Sequence, residues 1–422
     1  MKASMEMPAK KIAVIGAGIV GVSTAIWLQR AGHNVTLIDK SGPAAGASFG
    51  NGGVLAACAC VPVTVPGIVK KAPAMLLDKD APLFLKWRYL PTLLPWLTKY
   101  LRHANEADVN RIAKAIYGVT GDTLHEHQAL AKDSPAAKWI VPSDYLYLYE
   151  DRQAFESDGF GWSIRKAMGF AWEELEGAAV NEFDGAFSDR LNFAVRLGDH
   201  GRISDPGQYI KDLAELLVSL GGQLMTSEVA GFELDGARIA KVKTGNGDLA
   251  FDEVAVTAGV WSGPLAKALG VNVPLESERG YHVELWEPNM MPKVPVMHAA
   301  GKFVITPMEG RIRLAGIVEF GGLEAAPSEA PFELLLRNVK IALPDLKWKR
   351  VEKWMGHRPA PSDSIPIIGR SPSIANAWMG FGHHHIGLTA GPKTGRLLAE
   401  MIGGVKSNLE LAPYAPMRFD TK

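Results

Sequence analysis

Three glycines near the N-terminus have the spacing of a turn that binds a dinucleotide. Gly16, Gly18 and Gly21 form G-x-G-x-x-G directly after the apolar run 12–15, which is typical of a buried parallel strand. The first glycine permits the tight turn, the second lets a pyrophosphate approach the backbone, and the third lets the next helix pack on the strand. The helix predicted over 19–31 would direct its first N–H groups at the phosphates. We therefore predict a dinucleotide site, which both NAD and FAD would fit.

The residues after this turn supply the second half of such a site. A second strand, predicted over 35–38, ends at Asp39, about 20 residues after the glycines, where a carboxylate can bind a ribose hydroxyl. Residues 46–53, GASFGNGG, are small enough for a ligand to approach the backbone, and Ser48 and Asn51 offer hydrogen bonds. An ordinary flexible loop is the alternative interpretation of this segment.

Near the C-terminus, an arginine and a run of histidines have the chemistry to bind a substrate. Arg358 stands in the segment 356–369, GHRPAPSDSIPIIG, and a planar guanidinium binds both oxygens of a carboxylate. A packing arginine beside a proline is the alternative. Residues 383–385 are successive histidines, which cannot all face one ion, so no metal site is predicted. A glycine-rich turn and a helix predicted over 392–402 surround them, and the positive helix end would stabilise a reduced flavin, which favours FAD over NAD.

Composition limits the classes of protein to which the chain can belong. Its 422 residues suit about two to three domains, and 45 basic residues balance 45 acidic ones, so no basic excess favours a nucleic-acid partner. Cys58 and Cys60 are too few and too close for a disulfide framework or a zinc site, which favours a reducing compartment. No apolar export signal precedes the first strand, so we expect a cytoplasmic protein.

The predicted elements interleave two domains. A strand over 251–256 returns the chain to the nucleotide domain, and a strand meander follows over 280–319. The predicted fold class is α/β with an α+β second domain, in which a Rossmann-type domain is threaded by an antiparallel-sheet substrate domain. The Rossmann-type domain is assigned 11–60, 200–270 and 355–405, and the substrate domain 61–199 and 271–354, including a helical segment 72–131.

One helical stretch has two interpretations. The segment 87–104, WRYLPTLLPWLTKYLRHA, is rich in aromatic residues and leucine, ends in basic residues, and is interrupted by Pro91 and Pro95. Such a mixture suits either packing in the core or a face that rests on the inner surface of a membrane. Both interpretations stay open at this point.

Taken together, these motifs resemble the FAD-dependent D-amino-acid oxidase superfamily, in particular its bacterial D-amino-acid dehydrogenase and glycine or sarcosine oxidase-like branch. The matching motifs are VIGAGIVG, GASFGNGG, TAGVWS, H-R-P-x-x-x-D-x-x-P-x-I-G and G-x-H-x-x-G-L-T-A-G-P-x-T-G. The resemblance implies FAD held without a covalent bond, with Asp39 where the branch more often has Glu. The residues implied to bind FAD are Gly16, Gly18, Ile19, Val20, Gly21, Asp39, Lys40, Ser48, Asn51, Gly53, Val229, Ala258, Gly259, Trp261, Gly382, Ile386, Gly387 and Thr389.

The resemblance also implies an activity. A small D-amino acid, such as D-proline or hydroxy-D-proline, would lose a hydride from its Cα to the flavin, and a quinone or another carrier would then accept the electrons. Arg358 would bind the substrate carboxylate, and His385, Tyr281 and His298 would contact the substrate. A glycine or sarcosine oxidase-like enzyme that uses oxygen, a flavin-binding assembly protein without turnover and an NAD-dependent dehydrogenase are the alternatives. The oligomeric state is left open.

Overall fold

The computed structural model describes residues 8–78 and 80–419, which form two large sheets and their covering helices. The helices are α1 (Ile19–Arg30), α2 (Ile68–Leu77), α3 (Leu90–Arg102), α4 (Glu106–Thr120), α5 (Thr123–Ala131), α6 (Arg152–Ser157), α7 (Gly159–Ala167), α8 (Ala178–Phe183), α9 (Pro206–Ser219), α10 (Ser262–Ala268), α11 (Ala330–Ala342) and α12 (Gly387–Ile402). The strands are β1 (Lys11–Ile15), β2 (Asn34–Asp39), β3 (Val54–Leu55), β4 (Leu83–Leu85), β5 (Ile140–Tyr149), β6 (Glu173–Glu176), β7 (Phe193–Ile203), β8 (Gln223–Thr226), β9 (Val229–Asp235), β10 (Arg238–Thr244), β11 (Gly247–Leu249), β12 (Glu253–Val256), β13 (Leu275–Trp286), β14 (Val296–His298), β15 (Phe303–Met308), β16 (Arg311–Phe320), β17 (Arg350–Pro361), β18 (Ile367–Arg370) and β19 (Ala377–Phe381).

The first sheet has six strands in the order β18-β19-β12-β1-β2-β8. It is parallel except for β18, which runs antiparallel to β19. The apolar residues 12–15 of the inner strand β1 are buried on both faces, as a parallel strand requires. Helices α1, α9 and α12 cover one face, while α10 and the small sheet β9–β11 cover the other. Distant parts of the chain therefore build the nucleotide end together.

Helices α1 and α12 pack closely because α12 presents glycines to α1. A Cβ on Gly391 would lie 2.9 Å from the side chain of Ile19, and one on Gly395 would lie 2.5 Å from the backbone nitrogen of Thr24. Both distances are too short for real atoms, so a larger residue would push the helices apart. Helix α12 thus packs directly against α1, the helix that follows the glycine turn.

The second sheet contains ten strands. Eight follow the order β17-β13-β16-β15-β14-β5-β7-β3, with β4 beside β16 and β6 beside β7. Neighbouring strands are antiparallel except in the pairs β14–β5 and β16–β4. One face is covered by α11, in an apolar core that includes Tyr281, Phe303 and Phe332. The other face borders a cavity.

The predicted α/β class is confirmed, but two segments lie elsewhere than the expected domain boundaries place them. Helices α4 and α5 belong to the segment 72–131 expected in the substrate domain, yet they pack on α12, because the apolar stripe of Val109, Ile112 and Ile116 joins the core around α1. Residues 355–361, expected in the nucleotide domain, form the end of β17 and pair with β13 in the large sheet.

Candidate active site

The glycine turn between β1 and α1 has no space for larger residues. Gly16 has a φ of +106°, in the left-handed region that favours glycine, and a Cβ there would lie 2.7 Å from the Cα of Ala258. A Cβ on Gly21 would collide with the carbonyl oxygen of Gly16 and lie 2.6 Å from Thr257 Oγ1. The third glycine of the motif therefore lets helix and strand touch, as the motif predicts.

The carboxylate of Asp39 holds this turn to the end of β2. Its Oδ2 accepts a hydrogen bond from the N–H of Ala17 at 2.9 Å. Its Oδ1 accepts from the N–H groups of Ser41 and Gly42 at 2.8 and 3.0 Å. An ionised carboxylate has about four acceptor positions, so these three bonds leave one for a ribose hydroxyl.

The loop 46–53 bridges the two halves of the molecule. Ser48 Oγ accepts a hydrogen bond from the N–H of Ile19 at 3.0 Å, so the loop lies on the N-terminus of α1. From the large sheet, Arg313 Nη1 donates to the carbonyl oxygens of Phe49 and Asn51 at 2.9 and 2.6 Å. Arg313 was not predicted from the sequence, because its contact with the loop depends on which strands of the large sheet pair.

A cavity of about 1250 Å³ borders both sheets and brings the two ends of the chain together. Three glycines expected at the flavin, Gly21, Gly53 and Gly382, are not among its lining residues: Gly21 is buried in α1, and Gly53 and Gly382 have positive φ angles. The other residues expected at the flavin do line it: Gly16, Gly18, Ile19, Val20, Asp39, Lys40, Ser48, Asn51, Val229, Ala258, Gly259, Trp261, Ile386, Gly387 and Thr389.

The cavity has the size and the chemistry that FAD requires. Pockets for small molecules measure about 300–1000 Å³, and this cavity exceeds that range, as a dinucleotide beside a small substrate needs. The glycine turn and the N-terminus of α1 suit a pyrophosphate. Gly387 and Thr389 bring the N-terminus of α12 to the same cavity, where its dipole favours negative charge. The residues present therefore fit FAD.

Arg358 lies in the wall of this cavity on β17. Its guanidinium lies across Gly280 of β13, where a Cβ would come within 2.5 Å of Nε and 2.7 Å of Nη2. Its Nη1 donates a hydrogen bond to Glu278 Oε1 at 3.0 Å. Gly280 thus gives the guanidinium room to lie flat, and its Nε and Nη2 edge has no partner among the residues that the structure describes.

Glu278 connects Arg358 to the histidine run. It stands directly opposite Arg358 in the pairing of β13 with β17, and its Oε2 lies 2.8 Å from Nε2 of His384. Burial raises the pKa of the Glu278 carboxyl, but His384, Arg358 and His385 together outweigh burial and hold that pKa below its usual value. Glu278 is therefore an anion in the cavity wall, and it was not predicted from the sequence.

His385 faces the cavity beside this anion. Its side chain is exposed and lines the cavity. Its Nδ1 lies 2.8 Å from Nδ1 of His384, whose backbone has a φ of +51°. Burial lowers the pKa of His385 to about 3. His385 is therefore neutral near pH 7.

Tyr281 and His298 do not line the cavity, and this corrects their expected position. Tyr281 alternates with Glu278 and Gly280 on β13 and so points to the opposite face, where its hydroxyl donates to Glu319 at 2.6 Å. His298 likewise alternates with the cavity-lining Met297 and packs against a phenylalanine of the core under α11. Burial lowers the pKa of His298 to about 4. Neither residue is part of the proposed substrate site.

Helix α3 packs on the site. Its buried residues Leu93, Trp96 and Tyr100 follow helical spacing, and Trp96 Nε1 donates to the carbonyl oxygen of Ala360 at 3.0 Å. The ring of Tyr100 stacks on His384, with 6.4 Å between centroids and 11° between planes. This face of the segment 87–104 therefore serves core packing.

A family model described as "DAO: FAD dependent oxidoreductase" matches residues 11–401 of the chain. This match spans the glycine turn, the large sheet and the histidine run. The match therefore covers both halves of the cavity.

Individual relatives also match over almost the whole chain. A D-amino-acid oxidase from Bradyrhizobium diazoefficiens is 37% identical over 417 residues, 97% of this chain and 99% of the relative. A D-amino acid dehydrogenase from Paramagnetospirillum magneticum is 28% identical, over 97% of this chain and 99% of the relative. The structure of glycine oxidase from Geobacillus kaustophilus superposes with a TM-score of 0.74 at 20% identity, covering 98% of this chain and 99% of that one.

Proposed function

The chain belongs to the DAO family of FAD-dependent oxidoreductases, and from this membership we propose that it oxidises the C–N bond of a small D-amino acid. D-proline and its hydroxylated form are the preferred candidates. Two relatives named D-amino-acid oxidase and D-amino acid dehydrogenase support the substrate class. The observation that carries the proposal is the guanidinium of Arg358, which lies flat in the wall of the cavity that fits FAD.

In this proposal, the nucleotide end of the cavity holds FAD. Gly16, Gly18 and the first N–H groups of α1 would bind the pyrophosphate, while Asp39 would bind the adenosine ribose. Val229 would contact the adenine, and the N-terminus of α12 would face the isoalloxazine. Bound FAD supplies a hydride acceptor.

The large sheet orients the substrate in this proposal. Arg358 binds the substrate carboxylate with its free edge and so fixes the Cα–H bond relative to the cofactor. Helix α3 covers Ala360 and His384 and thereby excludes water from this end of the cavity. The imino acid that leaves the site is hydrolysed by water to an oxo acid.

Anaerobic reduction of the purified holoenzyme tests the substrate class. A panel of D- and L-amino acids, with D-proline, hydroxy-D-proline and D-alanine among them, is followed at the flavin absorption band. We expect D-amino acids to bleach the flavin and their L-enantiomers to leave it oxidised. A flavin that no amino acid reduces would contradict the proposal and would favour a flavin-binding assembly protein without turnover.

For the electron acceptor we propose a quinone or another carrier. The second candidate is a glycine or sarcosine oxidase-like enzyme that reduces oxygen, which is favoured by the relative named D-amino-acid oxidase. An oxygen electrode with D-proline, D-alanine and sarcosine separates the two. Rapid oxygen consumption without an added carrier would establish the oxidase.

We also propose that the end of α2, the segment before α3 and α3 itself contact a membrane, where a quinone would be accessible. Leu77, Trp87 and Leu94 in this stretch of the chain are 81%, 57% and 46% exposed, and Arg88 and Lys99 are exposed cations of the same stretch. Among the helices of the described residues, none has the length and apolar composition needed to cross a bilayer. Co-sedimentation with anionic vesicles should fall on Trp87→Ser with Leu94→Ser, and unchanged co-sedimentation would rule this surface out.

A further inference from the structure

Resting on the proposed function, we propose that Glu278, His384 and His385 form a chain of close polar contacts that makes Nε2 of His385 the acceptor for the substrate's amino group. Arg358 then binds the carboxylate and His385 the amine of the same amino acid. Glu278 and His384 act as positioning residues, because they decide which nitrogen of His385 carries the proton.

The chain begins at the carboxylate. Glu278 Oε2 and His384 Nε2 lie 2.8 Å apart, a distance at which two lone pairs would repel each other. An ionised carboxylate has no hydrogen to give, so the proton between the two atoms is on the histidine. The angle at this contact is too far from linear for a hydrogen bond, so His384 Nε2 has no aligned hydrogen-bond partner among the described residues. Glu278 is therefore the group that keeps a proton on this buried nitrogen.

The position of the proton on His384 determines the tautomer of His385. With its proton on Nε2, His384 leaves Nδ1 bare, and a bare ring nitrogen is an acceptor. The two Nδ1 atoms of His384 and His385 lie 2.8 Å apart, so His385 must donate through its own Nδ1–H. Its Nε2 is then bare, and among the described residues it has no hydrogen-bond partner. Because His385 lines the cavity, this nitrogen is available to an N–H group of a ligand.

The geometry provides two-point recognition of an amino acid. The Nε and Nη2 edge of Arg358 and the bare nitrogen of His385 line one cavity on either side of Glu278. A negative carboxylate suits the first group, and a positive ammonium suits the second group together with the Glu278 anion behind it. Two fixed substituents on Cα leave one orientation for the Cα–H bond, which is what selection of one enantiomer requires.

A matched pair of ligands tests the chain on the FAD-loaded enzyme. The probes are 2-aminoisobutyrate, which has no Cα–H to lose, and isobutyrate, which lacks only its amino group. Binding is followed by perturbation of the flavin spectrum. Glu278→Gln should weaken 2-aminoisobutyrate by about tenfold or more and leave isobutyrate unchanged or tighter, because an anion beside Arg358 has been removed. Equal weakening of both ligands, or of neither, would overturn the proposal.

Controls separate this proposal from the proposed function. Arg358→Ala should abolish binding of both probes, and failure of the wild type to bind either probe would refute the proposed function itself. Glu319→Gln removes a buried carboxylate on the other face of the sheet, where Glu319 pairs with Arg279 at 2.7 Å. This variant should leave both affinities within about twofold of the wild type.

Two further measurements do not depend on folding of the Glu278 variant. Nitrogen-15 spectra of histidine-labelled holoenzyme should show Nε2 of His385 unprotonated and Nδ1 protonated, with the resonance assigned by its loss in His385→Gln. The opposite tautomer would overturn the chain. His384→Phe keeps a ring against Tyr100 but removes both nitrogens, and it should selectively weaken 2-aminoisobutyrate. Retained preference for that ligand would contradict the proposal.

Discussion

The nucleotide end and the cavity face of the large sheet are built in different ways. At the nucleotide end, Gly16, Gly21 and Asp39 lie close in sequence, and the contact of Gly21 with the Gly16 carbonyl and the bond from the N–H of Ala17 to Asp39 are made inside this local motif. On the large sheet, Glu278 and Arg358 are 80 positions apart and meet only because β13 and β17 pair in one register. A local motif therefore specifies the first region, whereas strand register specifies the second.

The largest expected effect tests the local region. Gly21→Val should abolish FAD binding, because the new side chain would collide with the Gly16 carbonyl and separate α1 from β1. The ratio of flavin to protein absorbance measures the loss, which we expect to exceed about tenfold. Gly159→Ala is the matched control, since a Cβ there meets nothing within 4 Å. A Gly21→Val protein that keeps its flavin would break the assignment of the nucleotide end.

The next effect tests the region specified by register. Arg358→Ala should keep FAD and lower kcat/KM by about 100-fold or more, because it removes the carboxylate ligand and leaves Glu278 buried without its partner. Steady-state kinetics with a D-amino acid measures this loss, and absorbance checks the flavin. Arg337→Ala, on an exposed ion pair with Asp80, is the control. Wild-type kinetics in Arg358→Ala would remove this residue from the site.

A smaller effect concerns the helix that covers the sheet. Trp96→Phe should lower the free energy of unfolding by about 1–3 kcal/mol, because the buried carbonyl of Ala360 loses its donor. Denaturant unfolding of the holoenzyme measures this change. FAD content should stay constant, since Trp96 contacts the large sheet and not the nucleotide end. Loss of FAD in this variant would show that the nucleotide end depends on the packing of the large sheet.

The smallest effect at neutral pH, where it is close to zero, is expected from a change in pH dependence. Burial lowers the pKa of His298 to about 4 in the folded chain, against an ordinary value of about 6.5. Between those values the unfolded chain binds the extra proton, so His298 makes the folded state less stable as the pH falls. His298→Asn should therefore reduce the loss of stability between about pH 6.5 and 4 by about 2–3 kcal/mol. Identical acid unfolding curves would contradict this assignment.

The same difference explains what the sequence predicts and what it does not. The glycine turn, Asp39 and Ser48 were predictable because the motif places each of them within one local unit. Arg358 was expected in the substrate site from the chemistry of a guanidinium and from its motif; the structure places it in the cavity wall, and its role there stays a prediction. Glu278 and Tyr281 lie three residues apart on β13, and only the register shows that the first faces the cavity while the second faces α11.

The helical region shows the same limit for packing. The spacing of Val109, Ile112 and Ile116 indicates that α4 has an apolar face, but not which core that face joins. Its partner α12 follows more than 260 residues later in the chain. Residues 355–361 were misplaced for a related reason, because β17 continues the large sheet up to the point where the chain crosses to the nucleotide end.

The packing of α12 on α1 has a consequence for biosynthesis. The glycine turn is synthesised before β12, β19 and α12, which support it. A nascent chain therefore carries an unsupported turn until α12 has been made. We expect FAD to bind only after that point, so a chain that terminates before α12 should be colourless.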